Sequence, residues 1–261
     1  MKHLAVSITF LMLLSPALAA QTNSLLIEDL TWTEVRDAIA AGKTTAIYYA
    51  GSIEQSGPGF ALGKHVIVAR YLAPKIAAQL GNALVYPTMP FAPTGDWGYT
   101  GEGVIDPAKK TDHMRFAGSV NLSEQTFGVV AHDVTLSAIS AGFRNIMLMC
   151  DHGGPAQSQL EALAETMSKE WGPKGIHVYY VPDLYFKEKE LMKEVMRKHG
   201  WPIDEHGGTD DTSETLYIDK MVNGPHGKWI RPNKLVNGLD GDGTGVIGDQ
   251  TKATLEMGKM F

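Results

Sequence analysis

The stretch Thr44-Thr45-Ala46-Ile47-Tyr48-Tyr49-Ala50 decides how the rest of the chain is interpreted. Its β-branched and aromatic residues form a short apolar run, which is typical of a strand buried inside a sheet. A second apolar run, residues 145–150, has the same character. Each run passes directly into a polar, glycine-rich segment, so each predicted strand ends where a candidate functional loop begins.

Helical patterns alternate with these strands along the chain. The sequence predicts further strands at 83–86 and 175–181, and helices at 31–41, 64–80, 123–141, 156–171, 187–199, 212–221 and 250–260. This alternation predicts an α/β fold of three layers, α/β/α, in which helices cover both faces of a mostly parallel central sheet. Residues 88–120 have no clear period, and we expect a long functional loop there.

Residues 1–19 have the features of a secretory signal peptide. A polar start at Lys2 precedes the mostly apolar residues 4–14, and Ala17-Leu18-Ala19 forms a small-x-small cleavage site. The apolar part is too short to span a membrane as a mature helix. We therefore expect cleavage after residue 19, a secreted or periplasmic location, and a single α/β domain over residues 20–261.

Composition excludes some classes of partner. The chain has 261 residues and a formal net charge of −6, which argues against nucleic acid and anionic membrane surfaces as partners. The single cysteine, Cys150, ends an apolar run and cannot form an internal disulfide, so we interpret it as a small buried hydrophobe. The polar segments at the strand ends are therefore the main candidates for function.

These polar segments predict one shared site. Ligands of parallel α/β sheets bind beyond the carboxyl ends of the strands, where Glu54 follows the first strand and His152 follows the second. Two more glycine-rich segments, 206–213 and 245–249, also carry carboxylates or imidazoles. Oxygen and nitrogen ligands on such loops favour a divalent-metal site that performs hydrolysis.

Five motifs in this order resemble those of the creatininase family of metal-dependent amidohydrolases. They are Gly51-Ser52-Ile53-Glu54-Gln55-Ser56-Gly57-Pro58, Gly118-Ser119-Val120-Asn121-Leu122-Ser123 with His113 ahead of it, His152-Gly153-Gly154, His206-Gly207-Gly208 followed by an acid and Thr212-Ser213, and Gly245-Val246-Ile247-Gly248-Asp249. The resemblance runs from about Thr31 to the C-terminus. It implies a metal-dependent hydrolase that cleaves a C–N amide bond in a small-molecule substrate, and homo-oligomers that are commonly hexamers.

The resemblance also implies roles for individual residues. Glu54 stands at the position of a carboxylate ligand, His152 at that of a histidine ligand, and Asp211 at that of a glutamate ligand. His206 stands at the position of a histidine that carries a proton to the leaving nitrogen, a role that suits an imidazole. Glu54 and His206 are therefore the expected catalytic residues.

Two departures from the family pattern change the expected metal site. Ser56 replaces a histidine ligand, and His65 replaces an aspartate that bridges two metal ions. An imidazole can bind a metal ion but does not normally bridge two. We therefore expect one divalent ion per subunit, zinc before manganese, held by Glu54, His65, His152 and Asp211. A conventional two-metal centre and a metal-free site are the alternatives.

The substrate pocket is expected to include Ser56, His113, Trp97 and Trp201. The two tryptophans would form an aromatic wall, which favours a flat or cyclic substrate. Ser56 could instead act as a nucleophile with a histidine base, although no Gly-x-Ser-x-Gly turn surrounds it. For the whole chain, the alternatives are a non-hydrolytic small-molecule-binding protein, a lactone or ester hydrolase, an isomerase or a lyase on the same scaffold.

Overall fold

The computed structural model describes residues 23–238 and 243–261. Its strands are β1 (Thr45–Ala50), β2 (Ala83–Val85), β3 (Trp97–Gly101), β4 (Val104–Lys110), β5 (Asn145–Cys150), β6 (His177–Tyr180), β7 (Asn237–Gly238) and β8 (Gly248–Asp249). Its α-helices are α1 (Trp32–Ala40), α2 (Lys64–Leu80), α3 (Glu124–Ala141), α4 (Pro155–Trp171), α5 (Asp183–His199), α6 (Thr209–Asn223) and α7 (Leu255–Met260).

The central sheet has four parallel strands in the order β2-β1-β5-β6. Strands β1 and β5 pair over their whole length, from Thr45 opposite Asn145 to Ala50 opposite Cys150. Because the pairing is parallel, the chain leaves both strands at the same edge of the sheet. The loops that carry Glu54 and His152 therefore start side by side, as the sequence predicts.

Helices cover both faces of this sheet, which confirms the three-layer prediction. Along β1, Tyr48 packs in a core cluster that includes Phe127 of α3 and Leu160 of α4. The neighbouring residue Tyr49 points to the opposite face and packs in a second cluster with Ala69 of α2. Both faces of the central strand are apolar because both are covered. Cys150 is buried in the first cluster, as expected.

The region 88–120 differs from the prediction. It contains an antiparallel hairpin of β3 and β4, with register shifts near Tyr99. Most side chains of this hairpin are exposed, so the sequence carries no alternation of buried and polar residues to mark it. Helices α5 and α6 also start several residues earlier than predicted. The helix predicted over 250–260 is a 3₁₀ turn followed by the shorter α7.

The predicted signal peptide, residues 1–19, lies outside the described residues, so its cleavage stays a prediction. Within the described ranges, none of the helices combines the length and the apolar character needed to cross a lipid bilayer.

A buried carboxylate fixes the segment that follows α6. Asp219 is 1% exposed and accepts hydrogen bonds from the backbone N–H groups of Lys228, Trp229 and Ile230 at 2.8–3.1 Å. The carbonyl of Trp229 in turn accepts a hydrogen bond from the N–H of Ala61, which lies between the Glu54 loop and α2. Burial acts to raise the pKa of Asp219, but these N–H donors outweigh it and the pKa lies below its ordinary value.

We expect Asp219→Asn to destabilise the fold by about 1–3 kcal/mol at pH 7, because buried N–H groups lose a charged acceptor. The folded-state pKa is lowered, so this contribution is present above the unfolded pKa and is lost as the pH falls through the folded pKa. Urea unfolding at pH 7 and in acid measures both effects. Asp133→Asn, at an exposed carboxylate of α3, is the control. Equal stability of Asp219→Asn and wild type at pH 7 would contradict this role.

Candidate metal centre

A single buried carboxylate lies at the centre of the site. Glu54 is 1% exposed, and its Oε1 lies 2.8 Å from Nε2 of His65 while its Oε2 lies 2.6 Å from Nε2 of His152. The hydroxyl of Ser52 also donates to Oε2, at 3.0 Å. Burial acts to raise the pKa of Glu54, but the two imidazoles outweigh it and hold that pKa well below its ordinary value. Glu54 is therefore ionised at neutral pH.

Three elements bring these side chains together. Glu54 follows β1, His152 follows β5, and His65 lies in the first turn of α2. The loop after β1 can approach α2 closely because residue 51 is glycine. A Cβ atom at Gly51 would lie 2.7 Å from the carbonyl carbon of His65, which is closer than real side chains come. Gly51 therefore permits the contact between Glu54 and His65.

A second carboxylate orients His65. Oδ2 of Asp151 lies 2.9 Å from Nδ1 of His65, on the ring edge opposite Glu54. The hydroxyl of Tyr49 donates to Oδ1 of Asp151 over 3.5 Å. A carboxylate on one nitrogen of a metal-binding histidine fixes the ring and leaves the other nitrogen for the ion. Asp151 is thus placed to orient the ring of His65.

The donor set fits one divalent cation. One donor atom each from Glu54, His65 and His152 lie within 4.8 Å of one another. Two imidazoles and one carboxylate form a set that zinc commonly uses in catalytic sites, where a fourth position is left for water. Nδ1 of His152 is buried and has no hydrogen-bond partner among the described residues. The Nε2 nitrogens of both histidines point at the same carboxylate, as expected if these groups share an ion.

Two further imidazoles lie on the open side of Glu54. Nε2 of His113 lies 3.7 Å from Oε2 of Glu54, and the ring centroids of His113 and His206 are 4.7 Å apart. The amide of Gln55 donates to Nδ1 of His113 at 3.3 Å and to the carbonyl of Gly245 at 3.0 Å. Nε2 of His206 donates to the backbone carbonyl of Gln55 at 3.0 Å. Gln55 thus holds both rings beside Glu54.

These two imidazoles are neutral at neutral pH. Burial, with a smaller contribution from the charge of Lys64, lowers the pKa of His206 to about 4. Burial also lowers the pKa of His113, although the charge of Glu54 acts in the other direction. With Nε2 of His206 donating to a carbonyl, its Nδ1 is the ring atom that can take up a proton. His113 and Glu54 with His206 also form a second group of donor atoms within 4.8 Å.

Asp211 does not join either group of donor atoms. Its Oδ2 accepts from Nζ of Lys64 at 2.9 Å and from the N–H of Gly207 at 2.8 Å, and its Oδ1 accepts from Nζ of Lys189 at 2.5 Å. Burial would raise the pKa of Asp211, but the two ammonium groups outweigh it and hold the pKa well below its ordinary value. The structure therefore gives Asp211 two lysine partners and not the surroundings expected of a metal ligand.

A cavity of about 1060 Å³ opens above Glu54. Its wall includes the predicted site residues Glu54, His65, His113, His152, His206, Asp211 and Trp97. Ser56 and Trp201 are not part of this wall. Ser56 is fully buried, and its hydroxyl has no hydrogen-bond partner among the described residues. Trp201 stacks on His199, with 4.4 Å between the ring centroids. The structure thus brings Trp97 and His113 to the pocket and leaves the other two predicted substrate residues outside it.

Gln55, Lys64 and Lys189 line the cavity and contact predicted site residues, but they were not themselves predicted as functional. Gln55 belongs to the first motif, but only the folded chain shows that its amide reaches His113. Lys64 begins α2 directly before His65, and a lysine there opposes the helix dipole, which is a signal that could have been used. Lys189 lies among six other lysines and glutamates of α5 and gives no local signal.

We expect Asp151→Asn to weaken zinc binding about 10- to 100-fold, because His65 loses the charge that orients its ring and makes Nε2 a stronger ligand. Competition with a chromophoric chelator measures the affinity. Asp133→Asn serves again as the surface control. Zinc affinity of Asp151→Asn equal to that of the wild type would show that Asp151 does not support a ligand.

Comparisons with known proteins agree with the fold and identify similar sequences. The family model of creatinine amidohydrolase matches residues 28–261. A creatinine amidohydrolase of Pseudomonas putida is 24% identical over 217 residues, which cover 78% of each protein. A solved structure of a creatininase mutant, of Zn-Zn type, has a TM-score of 0.69 at 18% identity and covers 92% of this chain and 93% of its own. A creatininase mutant complexed with creatine has a TM-score of 0.67 at 18% identity, with 91% and 92% covered.

Proposed function

The chain belongs to the creatininase family of amidohydrolases, and from this premise we propose that it is an exported, metal-dependent hydrolase that cleaves a cyclic or linear C–N amide bond in a small molecule. The observation that carries the proposal is the convergence of Glu54, His65 and His152 on one point at the wall of a cavity. Neutral imidazoles beside Glu54 add groups that can move a proton.

One divalent cation per subunit, zinc in preference to manganese, would be held by Glu54, His65 and His152. When bound, such an ion polarises a carbonyl group and makes a bound water acidic enough to attack it. The similar creatininase structures include one of Zn-Zn type and one with Mn, so the likeness supports a divalent metal, and the preference for zinc rests on the two imidazoles and one carboxylate of the donor set. The surroundings of Asp211 argue against including this residue in the ligand set.

His206 is proposed to carry the proton of the reaction. In amide hydrolysis the water oxygen joins the carbonyl carbon, the C–N bond breaks, and one water proton must reach the leaving nitrogen. A neutral imidazole can accept that proton at Nδ1 and then release it to the nitrogen. The low pKa of His206 suits a group that must start neutral. Gln55 holds the ring in place through its backbone carbonyl.

The substrate is proposed to be a small amide with a flat or cyclic part. Trp97 lines the cavity and is 38% exposed, so its ring is free to contact a ligand. His113 lines the same cavity and can bind a polar group of the substrate. The replacements at Ser56 and His65 favour an amide other than creatinine. The family resemblance favours a homo-oligomer, commonly a hexamer.

Metal content and turnover test this function together. The zinc-loaded wild type is screened against small cyclic amides, formamides and lactones. We expect Glu54→Gln and His152→Ala to lose both zinc and turnover, because each removes a ligand. We expect His206→Ala to keep its zinc and to lose turnover by about 100- to 10,000-fold, the usual contribution of acid–base catalysis.

His226→Ala, which removes an exposed imidazole, is the matched control and should change neither quantity. Wild-type protein that binds small amides but takes up no divalent metal in any preparation would overturn the hydrolase proposal and favour a binding protein. Turnover that prefers lactones over amides would move the protein to another hydrolase class.

Export is tested separately. If residues 1–19 form a signal peptide, protein from the periplasmic fraction of an expressing bacterium should begin at Ala20, as measured by intact mass. Ala19→Arg should block cleavage, because the cleavage site needs a small residue there. Full-length protein confined to the cytoplasmic fraction would exclude export by this route.

A further inference from the structure

One carboxylate is shared between two lysine ammonium groups at the wall of the cavity. Asp211 accepts from Lys64 through Oδ2 and from Lys189 through Oδ1. The side chains of Lys64 and Asp211 are 4% and 5% exposed, whereas that of Lys189 is 26% exposed. One carboxylate thus contacts two ammonium groups. The next acid, Asp210, acts mainly on Lys189 and has its own pKa raised by burial and by Asp211.

Lys64 is the member of this group nearest to the candidate metal ligands. It is the first residue of α2, directly before His65, and it lines the same cavity as Glu54. A lysine at a helix N-terminus is unfavourable for the helix dipole, and burying its charge is costly. Burial acts to lower the pKa of Lys64, but Asp211 outweighs this and raises it. Lys64 therefore stays charged inside the protein.

Lys64 shares the cavity with the other groups of the site. It lines the cavity whose wall also includes Glu54, His113 and His206, and it directly precedes His65 in the chain. An ammonium group held by Asp211 therefore lies on the same wall as Glu54 and these imidazoles. The second ammonium, that of Lys189, also pairs with Asp211, so Asp211 does not fully cancel the charge of Lys64.

Two features of the chain disfavour a second metal ion beside Glu54. The second group of donor atoms, from Glu54, His113 and His206, has no carboxylate besides the one that it shares with the first group. A second divalent cation next to Glu54 would also be repelled by Lys64. An ammonium group, in contrast, can be held by a single carboxylate partner, and Asp211 is that partner at 2.9 Å.

We propose that the ammonium of Lys64, positioned by Asp211, takes the place of a second metal ion, so that the centre works with a single divalent cation and Lys64 binds the negative oxygen of the ligand. The proposal rests on the proposed metal-dependent function, but metal counting and anion binding test it without any substrate. Asp211 is then a positioning residue for Lys64 and not a metal ligand.

The first test is the number of zinc ions per chain. Protein saturated with Zn²⁺ and freed of excess metal is analysed by elemental analysis. We expect one ion in the wild type, in Lys64→Met and in Asp211→Asn. Two ions in the wild type would overturn the proposal, because no place would be left for Lys64 to replace. Loss of the ion in Asp211→Asn would identify Asp211 as a ligand and would overturn it as well.

The second test is the binding of acetate, a small carboxylate, to the zinc-loaded protein by calorimetry. A charge-assisted hydrogen bond contributes enough that Lys64→Met should weaken acetate binding at least about tenfold. Lys64→Arg, which keeps the charge, should retain most of the affinity. Lys187→Met is the control, since Lys187 is exposed and pairs with Asp183 on α5.

Lys64→Gln guards against a folding defect, because its amide can still donate to Asp211 while the charge is lost. Circular dichroism and thermal unfolding identify the folded variants to be compared. Acetate affinity of a folded Lys64→Met or Lys64→Gln equal to that of the wild type would overturn the proposal. A zinc-free wild type would refute the metal-dependent function itself, which is a different failure from a normal zinc count with unchanged acetate binding.

Discussion

The site depends on the burial of one carboxylate. An ionised carboxylate without partners is costly to bury, by several kcal/mol, so Glu54 needs donors or cations on every side that water cannot reach. His65 and His152 supply them at 2.8 and 2.6 Å. The fold has to deliver two imidazoles to one point, and most features of the sheet edge follow from that requirement. A metal ion among these three groups would satisfy the same carboxylate more fully.

The parallel pairing of β1 with β5 is what delivers them. Because the two strands end together, Glu54 and His152 start from adjacent positions, and only His65 has to come from a separate element. Gly51 removes the side chain that would otherwise keep the first turn of α2 at a distance. Asp151 then fixes the orientation of the His65 ring by contacting Nδ1, on the edge opposite Glu54. The geometry of the site is therefore set by backbone features of the sheet before any ion is considered.

The sequence predicts those parts of the molecule that local patterns encode. The apolar runs of β1 and β5 mark two buried strands, and their ends place Glu54 and His152 on one edge. The hairpin of β3 and β4 escapes prediction because its side chains are mostly exposed and its pairing is irregular. The lysine partners of Asp211 could not be predicted from local patterns for a different reason.

Lys64 and Asp211 are 147 residues apart in the sequence. Each lies in the first turn of a helix, and no local sequence pattern predicts that these two side chains pair. The family pattern suggests a ligand at Asp211, but the pattern cannot include the two lysines that this fold brings to it. Trp201 also differs from its predicted role, because its ring stacks on the nearby His199 and does not line the cavity. In both cases a contact in the folded chain, distant for Asp211 and local for Trp201, decides the role of the side chain.

The charge balance of the site gives a reason why His65 and Lys64 occur together in this chain. In the family pattern, a bridging aspartate accompanies a second divalent cation. Replacing that aspartate with His65 removes one negative charge, and omitting the second cation removes two positive charges. The net loss is one positive charge, which the ammonium of Lys64 restores at the same wall of the cavity. A mutation to His65 alone would leave the centre short of positive charge, and a lysine added to a two-metal centre would be repelled. The two residues are adjacent in sequence and compensate each other only as a pair.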